Sequence, residues 1–222
     1  MARKRVGVLI SGRGSNMAAL VAAAADPAYP AEIALIVSNR PDAAGLSFAE
    51  RHRIATKIVD HTGFGKDREA FERAVQAELE AARVDLLCLA GFMRLLTPWF
   101  VRQWEGRMIN IHPALLPAFK GLDTHARALE AGVKIHGASV HFVVAEMDSG
   151  PIIAQGAVAV ADDDTEATLA ARVLAVEHKI YPLALKLVAE GRARIVGNRV
   201  AIAGGDVDAG ELLVPQPDAR RD

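Results

Sequence analysis

Short, continuously apolar runs alternate with amphipathic or alanine-rich stretches through the first half of the chain. Residues 5–10, 33–37, 57–59 and 84–90 read as strands, and a fifth strand ends at His112. Between them, residues 17–25 form an alanine-rich helix, 43–53 a second helix and 67–82 a clear amphipathic one. A further helix follows Pro98. Apolar strands separated by helices predict a mostly parallel sheet covered on both faces, the doubly wound α/β arrangement. Ligands of such sheets bind beyond the carboxyl ends of the strands. The 12–16 loop, the 91–96 loop and the strand end at Asn110–His112 all fall there.

The second half has a different rhythm. Residues 134–144 and 152–160 read as longer strands, expected to extend the sheet antiparallel, joined by a loop holding Glu146, Asp148, Gly150 and Pro151. On the first of them Ala138, Val140 and Phe142 fall on one face, and Ser139 and His141 on the other. Residues 165–190 form a long helix whose acidic start, Asp162-Asp163-Asp164, suits the positive helix N-terminus. Pro182 predicts a break or kink near Ile180. Residues 194–202 suggest a hairpin around Gly197-Asn198. From Gly204 onward glycine, aspartate and proline dominate, so 1–203 is expected to be a single domain and 204–222 a disordered tail.

Composition narrows the setting. The chain has 222 residues, 51% of them hydrophobic, and a formal net charge of −1, which gives no broad basic surface for nucleic acid. One cysteine, Cys88, lies in an apolar run and fits a buried thiol in a reducing compartment. The basic start Met1–Arg5 leads straight into a strand rather than into a signal peptide. No stretch reaches the roughly 20 apolar residues of a membrane span. The expectation is a cytoplasmic protein with no membrane partner.

Two motifs carry the candidate chemistry. Asn110 and His112 are two apart on a strand, so an amide and an imidazole share one face just before Pro113 ends the ladder. That pair can stabilise an oxyanion and move a proton. Taken alone, it reads more readily as a capping asparagine beside a satisfied strand-end histidine. Ser11-Gly12-Arg13-Gly14-Ser15-Asn16 follows the first strand and opens the first helix, where exposed amides favour an anion. Met17 stands where a dinucleotide fingerprint has its third glycine, and Ser38-Asn39 where it has an acid. A single phosphomonoester therefore fits better than NAD or ATP. Gly-x-Ser-x-Gly and His-Glu-x-x-His are both missing, and His136 and His141 lack metal spacing. An amide, an imidazole and a carboxylate without a protein nucleophile suit direct acyl transfer between two bound substrates.

Five ordered blocks make the reading specific: Ile10–Asn16, Leu89–Leu96, Ile109–Pro117, His136–Phe142 and Met147–Pro151. From about residue 5 to 202 the chain resembles the folate-dependent phosphoribosylglycinamide formyltransferase family of purine synthesis, with its Rossmann-like fold. The resemblance implies transfer of the formyl group of 10-formyltetrahydrofolate to the primary amine of glycinamide ribonucleotide, through a tetrahedral intermediate and without a metal. It implies Asn110, His112 and Asp148 as the catalytic trio. Gly14, Ser15 and Asn16 would hold the nucleotide phosphate, and Glu177 the ribose hydroxyls. Arg68 would pair with the glutamate tail of the folate, while Met93, Arg94, Leu95 and Leu96 flank the pterin. Val143, Val144, Ala145, Glu146 and Met147 would offer backbone groups to the pterin's polar edge. The N-terminal half is then phosphate-binding and the C-terminal half folate-binding and catalytic, in a monomer or homodimer. The rivals are a formyltetrahydrofolate deformylase, which Pro117-Ala118-Phe119-Lys120-Gly121 also resembles, a methionyl-tRNA formyltransferase, and a silent binding module for a phosphorylated metabolite.

Overall fold

A computed structural model describes residues 2–204 and Val214; the expected disordered tail lies outside the described residues except for Gly204 and Val214. Five parallel strands come first: β1 (Lys4–Ile10), β2 (Ala31–Ser38), β3 (Thr56–Ile58), β4 (Leu86–Leu89) and β5 (Met108–His112). Two antiparallel strands follow, β6 (Ile135–Phe142) and β7 (Ile152–Ala159), in the order β3-β2-β1-β4-β5-β6-β7. The helices are α1 (Ser15–Ala24), α2 (Ala44–Arg51), α3 (Arg68–Ala81), α4 (Pro98–Gln103), α5 (Thr124–Glu130) and α6 (Glu166–Ala189). A hairpin of β8 (Ala193–Val196) and β9 (Arg199–Ile202) completes the described fold.

Alternation along the strands separates two cores. Val6, Val8 and Ile10 of β1, Cys88 of β4 and Ile109 of β5 face the cluster under α1, α2 and α6. Leu9, Leu87 and Met108 face the other cluster, under α3 and α4. Asn110 and His112 therefore project on the Met108 side. That second core draws no buried residue from β6 or β7. Beyond β5 this face is left to loops rather than helices, and that gap in the helical cover is where a site can open.

Two features depart from the sequence expectation. α6 runs unbroken through Pro182 for 24 residues. Proline costs a helix roughly 3 kcal/mol, but Tyr181, Ala184 and Leu185 are fully buried on either side of it, and burying one large side chain contributes about 1.5–3 kcal/mol. Packing outweighs the lost hydrogen bond. The other is α5, which the apolar pattern did not foretell: of its seven residues only Thr124 and Ala128 are buried.

Candidate active site

The first part of the site is built from backbone. At the end of β1 the chain turns through Gly14, whose φ of 74° is open to glycine and strained for other residues, and enters α1 with no side-chain cap. The first amides of α1 are thereby left for a ligand. They border a cleft of about 420 Å³ that Arg13, Asn39, Arg40, His61 and Arg94 also line. Ser11 braces it: its hydroxyl donates to Asn39 Oδ1 at 2.6 Å and accepts from Met93 N at 2.8 Å, joining the 11–16 and 91–96 loops. Asn16 reaches away from the loop to α6, where its Nδ2 donates to Glu177 Oε2 at 2.7 Å. Glu177 is 6% exposed, and burial raises its pKa above the usual carboxylate range while the Asn16 bond opposes the rise.

The second part is built from side chains across the β5–β6 boundary. Register sets Asn110 opposite His141 and His112 opposite Ser139, so the polar face of β6 meets that of β5. His141 donates from Nδ1 to Phe142 O at 2.9 Å, which leaves Nε2 to accept from Asn110 Nδ2 at 3.2 Å. Burial lowers the His141 pKa, against the Phe142 carbonyl and the nearby Asp148, so the ring stays neutral and keeps that acceptor. One amide hydrogen of Asn110 is thus engaged, and among the described residues the other has no acceptor.

His112, 5% exposed, has an oxygen at each ring nitrogen. Nε2 lies 3.0 Å from Phe119 O, and Nδ1 lies 3.4 Å from Asp148 Oδ2. The other Asp148 oxygen lies 3.8 Å from His141 Nε2. Asp148 itself sits at φ 50°, and its Oδ2 also accepts from Gly121 N at 2.9 Å. Two residues on, a Cβ at Gly150 would fall 1.7 Å from Phe142 O, so only glycine lets this loop close over β6.

The loop after β5 is tied down as firmly. Ser139 Oγ donates to Ala114 O at 2.7 Å and accepts from Leu116 N at 3.0 Å. Gln155 Nε2 of β7 donates to Leu116 O at 2.9 Å. Tyr181, wholly buried on α6, donates its hydroxyl to Leu89 O at 3.0 Å and Ile109 O at 3.3 Å, bridging the ends of β4 and β5. Cys88 is buried nearby, its thiol pushed up to about 12 by that burial.

The structure brings Asn110, His112 and Asp148 together, joins Asn16 to Glu177, and sets Gly14, Ser15, Asn16, Met93 and Arg94 around one cleft. Met93, Leu95, Val144 and Met147 stand exposed on two loops, while Leu96 and Val143 pack at their base on one core. Ala145 and Glu146 are exposed, and Glu146 pairs with Lys120 at 3.5 Å. Arg68, the first residue of α3, is exposed and lines neither the 420 Å³ cleft nor the one beside Asp148. Sequence reasoning placed His141 only on the polar face of a strand and missed Asn39, Arg40 and His61. The pairing of β6 with β5 was the missing information for the first; the other three lie beyond the ends of β2 and β3, with no motif of their own.

Residues 4–185 match the family described as formyl transferase. Phosphoribosylglycinamide formyltransferase of Escherichia coli is 43% identical over 89% of this chain and 92% of that protein. The trifunctional purine biosynthetic protein adenosine-3 of Homo sapiens is 48% identical over 88% of this chain, which spans only 19% of that longer protein. The crystal structure of glycinamide ribonucleotide transformylase 1 from Symbiobacterium toebii superposes with a TM-score of 0.87 at 46% identity, covering 90% of this chain and 94% of that one. A formyltetrahydrofolate deformylase from Pseudomonas syringae pv. tomato superposes with a TM-score of 0.83 at 29% identity, over 90% of this chain and 66% of that one.

Proposed function

The chain belongs to the formyl transferase family, and from that premise we propose that it transfers the formyl group of 10-formyltetrahydrofolate to the primary amine of glycinamide ribonucleotide. The observation that carries the reading is the junction of two unlike surfaces. Helix-terminal amides at Gly14–Asn16 suit a phosphomonoester, and the Asn110–His112–Asp148 cluster lies two strands away, across β4, at the same end of the sheet.

The ribonucleotide seats its phosphate on the amides of Gly14, Ser15 and Asn16, and Glu177 accepts from its ribose hydroxyls. Met93, Arg94, Leu95 and Leu96 flank the folate's pterin. Backbone groups of Val143, Val144, Ala145, Glu146 and Met147 meet its polar edge, and Arg68 takes the acidic tail. The substrate amine attacks the formyl carbon, a C–N bond forms and the carbonyl oxygen becomes an oxyanion. Asn110 donates its free amide hydrogen to that oxygen, and the His112 imidazolium turns to it. Each donor contributes on the order of 3 kcal/mol to the transition state. Asp148 stabilises the imidazolium and takes the proton lost by the amine, directly or through water. Collapse of the tetrahedral intermediate expels the folate nitrogen, which receives a proton. The reaction asks for no metal in this scheme, since amide, imidazole and carboxylate supply every charge and proton. We assign a cytoplasmic setting, no nucleic-acid or membrane partner, and a monomer or homodimer.

The test is one formyl-donor assay with three acceptors: glycinamide ribonucleotide, water alone and methionyl-tRNA. Formylated ribonucleotide should dominate. Release of formate at the same rate with and without the ribonucleotide would make the chain a deformylase, and formylated tRNA would equally overturn the proposal.

A further inference from the structure

α3 carries a buried acid that the reaction does not use. Glu72 is 1% exposed, and among the described residues no cation pairs with it. Both of its oxygens are nevertheless occupied by one residue: Oε1 accepts from Thr97 N at 2.6 Å and Oε2 from the Thr97 hydroxyl. Thr97 directly follows Leu96 and caps α4, its Oγ accepting from Phe100 N at 3.4 Å. Burying a carboxylate is costly unless its hydrogen bonds are met, so this arrangement persists because Thr97 meets them.

What the acid joins is more informative than how it is satisfied. Arg68 precedes Glu72 by four residues on the same helix, so the two lie one above the other on one stripe of α3. The path from Arg68 to Leu96 therefore runs through one helical turn and one buried hydrogen-bonded pair. Neighbouring contacts reinforce the junction: Phe71 stacks with Phe92 at 6.5 Å, and Trp104 Nε1 donates to Gln76 Oε1 at 2.8 Å.

We propose that Glu72 is a positioning residue for the folate: through Thr97 it fixes the Met93–Leu96 loop relative to Arg68, and so sets the span between the pterin end and the acidic tail. The inference rests on the folate reading given above. Loosening the clamp lets the loop move with the pterin, and the tail then misses Arg68. The loss should fall on folate binding and should depend on Arg68.

The experiment is a double-mutant cycle of Glu72→Met with Arg68→Ala, reading both Michaelis constants and kcat at saturation. Glu72→Met should raise the folate KM about tenfold when Arg68 is present and less than about twofold in Arg68→Ala. The ribonucleotide KM and kcat should stay within about twofold of wild type, and Glu72→Gln, whose carbonyl still accepts from Thr97 N, should recover most of the loss. If Glu72→Met does not fold, Thr97→Val, which exchanges only the hydroxyl for a methyl, carries the same cycle, with Thr97→Ser as the variant that retains the hydroxyl. An equal penalty in both Arg68 backgrounds, a parallel rise in the ribonucleotide KM, or no penalty would overturn the clamp. If Arg68→Ala by itself left folate KM unchanged, the premise about the tail would fall and the clamp with it, while formyl transfer by the wild type would still stand.

Discussion

At the end of β1 the chain meets a ligand first with backbone, at Gly14 with φ 74° and an uncapped helix start, while Asn16 turns aside to Glu177 and the side chains of Arg13, Arg40 and Arg94 stand around the cleft. At the end of β5 it offers side chains, with Asn110, His112, His141 and Asp148 in one buried network. The difference follows from the sheet. Parallel strands lead into helices, whose N-termini point amides at a ligand. Antiparallel pairing of β6 against β5 brings polar side chains face to face at the register pairs Asn110–His141 and His112–Ser139. Recognition by backbone tolerates changes in side chain and fails when the main chain is blocked. Chemistry by side chain fails when one atom is exchanged.

The sharpest way to separate the two regions is Asp148→Asn. It keeps shape and the Gly121 bond but removes the charge beside His112. We expect kcat to fall on the order of a thousandfold, with both Michaelis constants within about threefold of wild type, in steady-state assays. Near-normal turnover with weak folate binding would move Asp148 out of the chemistry.

Gly14→Val attacks the other region. The valine Cβ meets Met17 Cε at 3.0 Å and Gly45 Cα at 3.1 Å, at a φ that disfavours a β-branched residue. The ribonucleotide KM should rise about thirtyfold or more, while folate affinity measured by titration should change less than about twofold. A matching loss of folate binding would show that the loop is not dedicated to the nucleotide.

Glu177→Gln gives the smallest effect and joins binding to stability. The amide still accepts from Asn16, but a charged acceptor for the ribose hydroxyls is lost, so the ribonucleotide KM should rise about tenfold. Burial raises the Glu177 pKa in the fold above its unfolded value. The folded state is therefore penalised once the pH exceeds the folded pKa, and the penalty vanishes below the unfolded one. Glu177→Gln should melt at a higher temperature than wild type at neutral pH, and the gain should shrink as the pH falls toward the usual carboxylate range. A lower melting temperature at neutral pH would mean that the charge stabilises the fold.

Much of this arrangement is legible in the sequence. Apolar runs spaced by helices announced β1, β2, β4 and β5, because strands buried on both faces have few polar positions to place, whereas the exposed edge strand β3 is short and mixed. Two-residue spacing put Asn110 and His112 on one face by geometry alone. Asp148 was different: nothing local marks an acid 36 positions beyond His112 as its neighbour, and only the resemblance over five blocks singled it out. Pro182 suggested a break that α6 does not have, because its local cost was readable and the packing that outweighs it was not.

The sequence by itself determined the strand and helix order, the turn glycines and the identity of the reactive groups, because these depend on periodicity and on chemistry carried by single residues. The tertiary structure alone decided the register of β6 against β5, which brings His141 to Asn110. It alone decided that Gly150 closes the Asp148 loop over Phe142 O, and that Glu72 meets Thr97. Those are contacts between residues far apart in the chain, and their geometry is set by how whole elements pack, which no local pattern encodes.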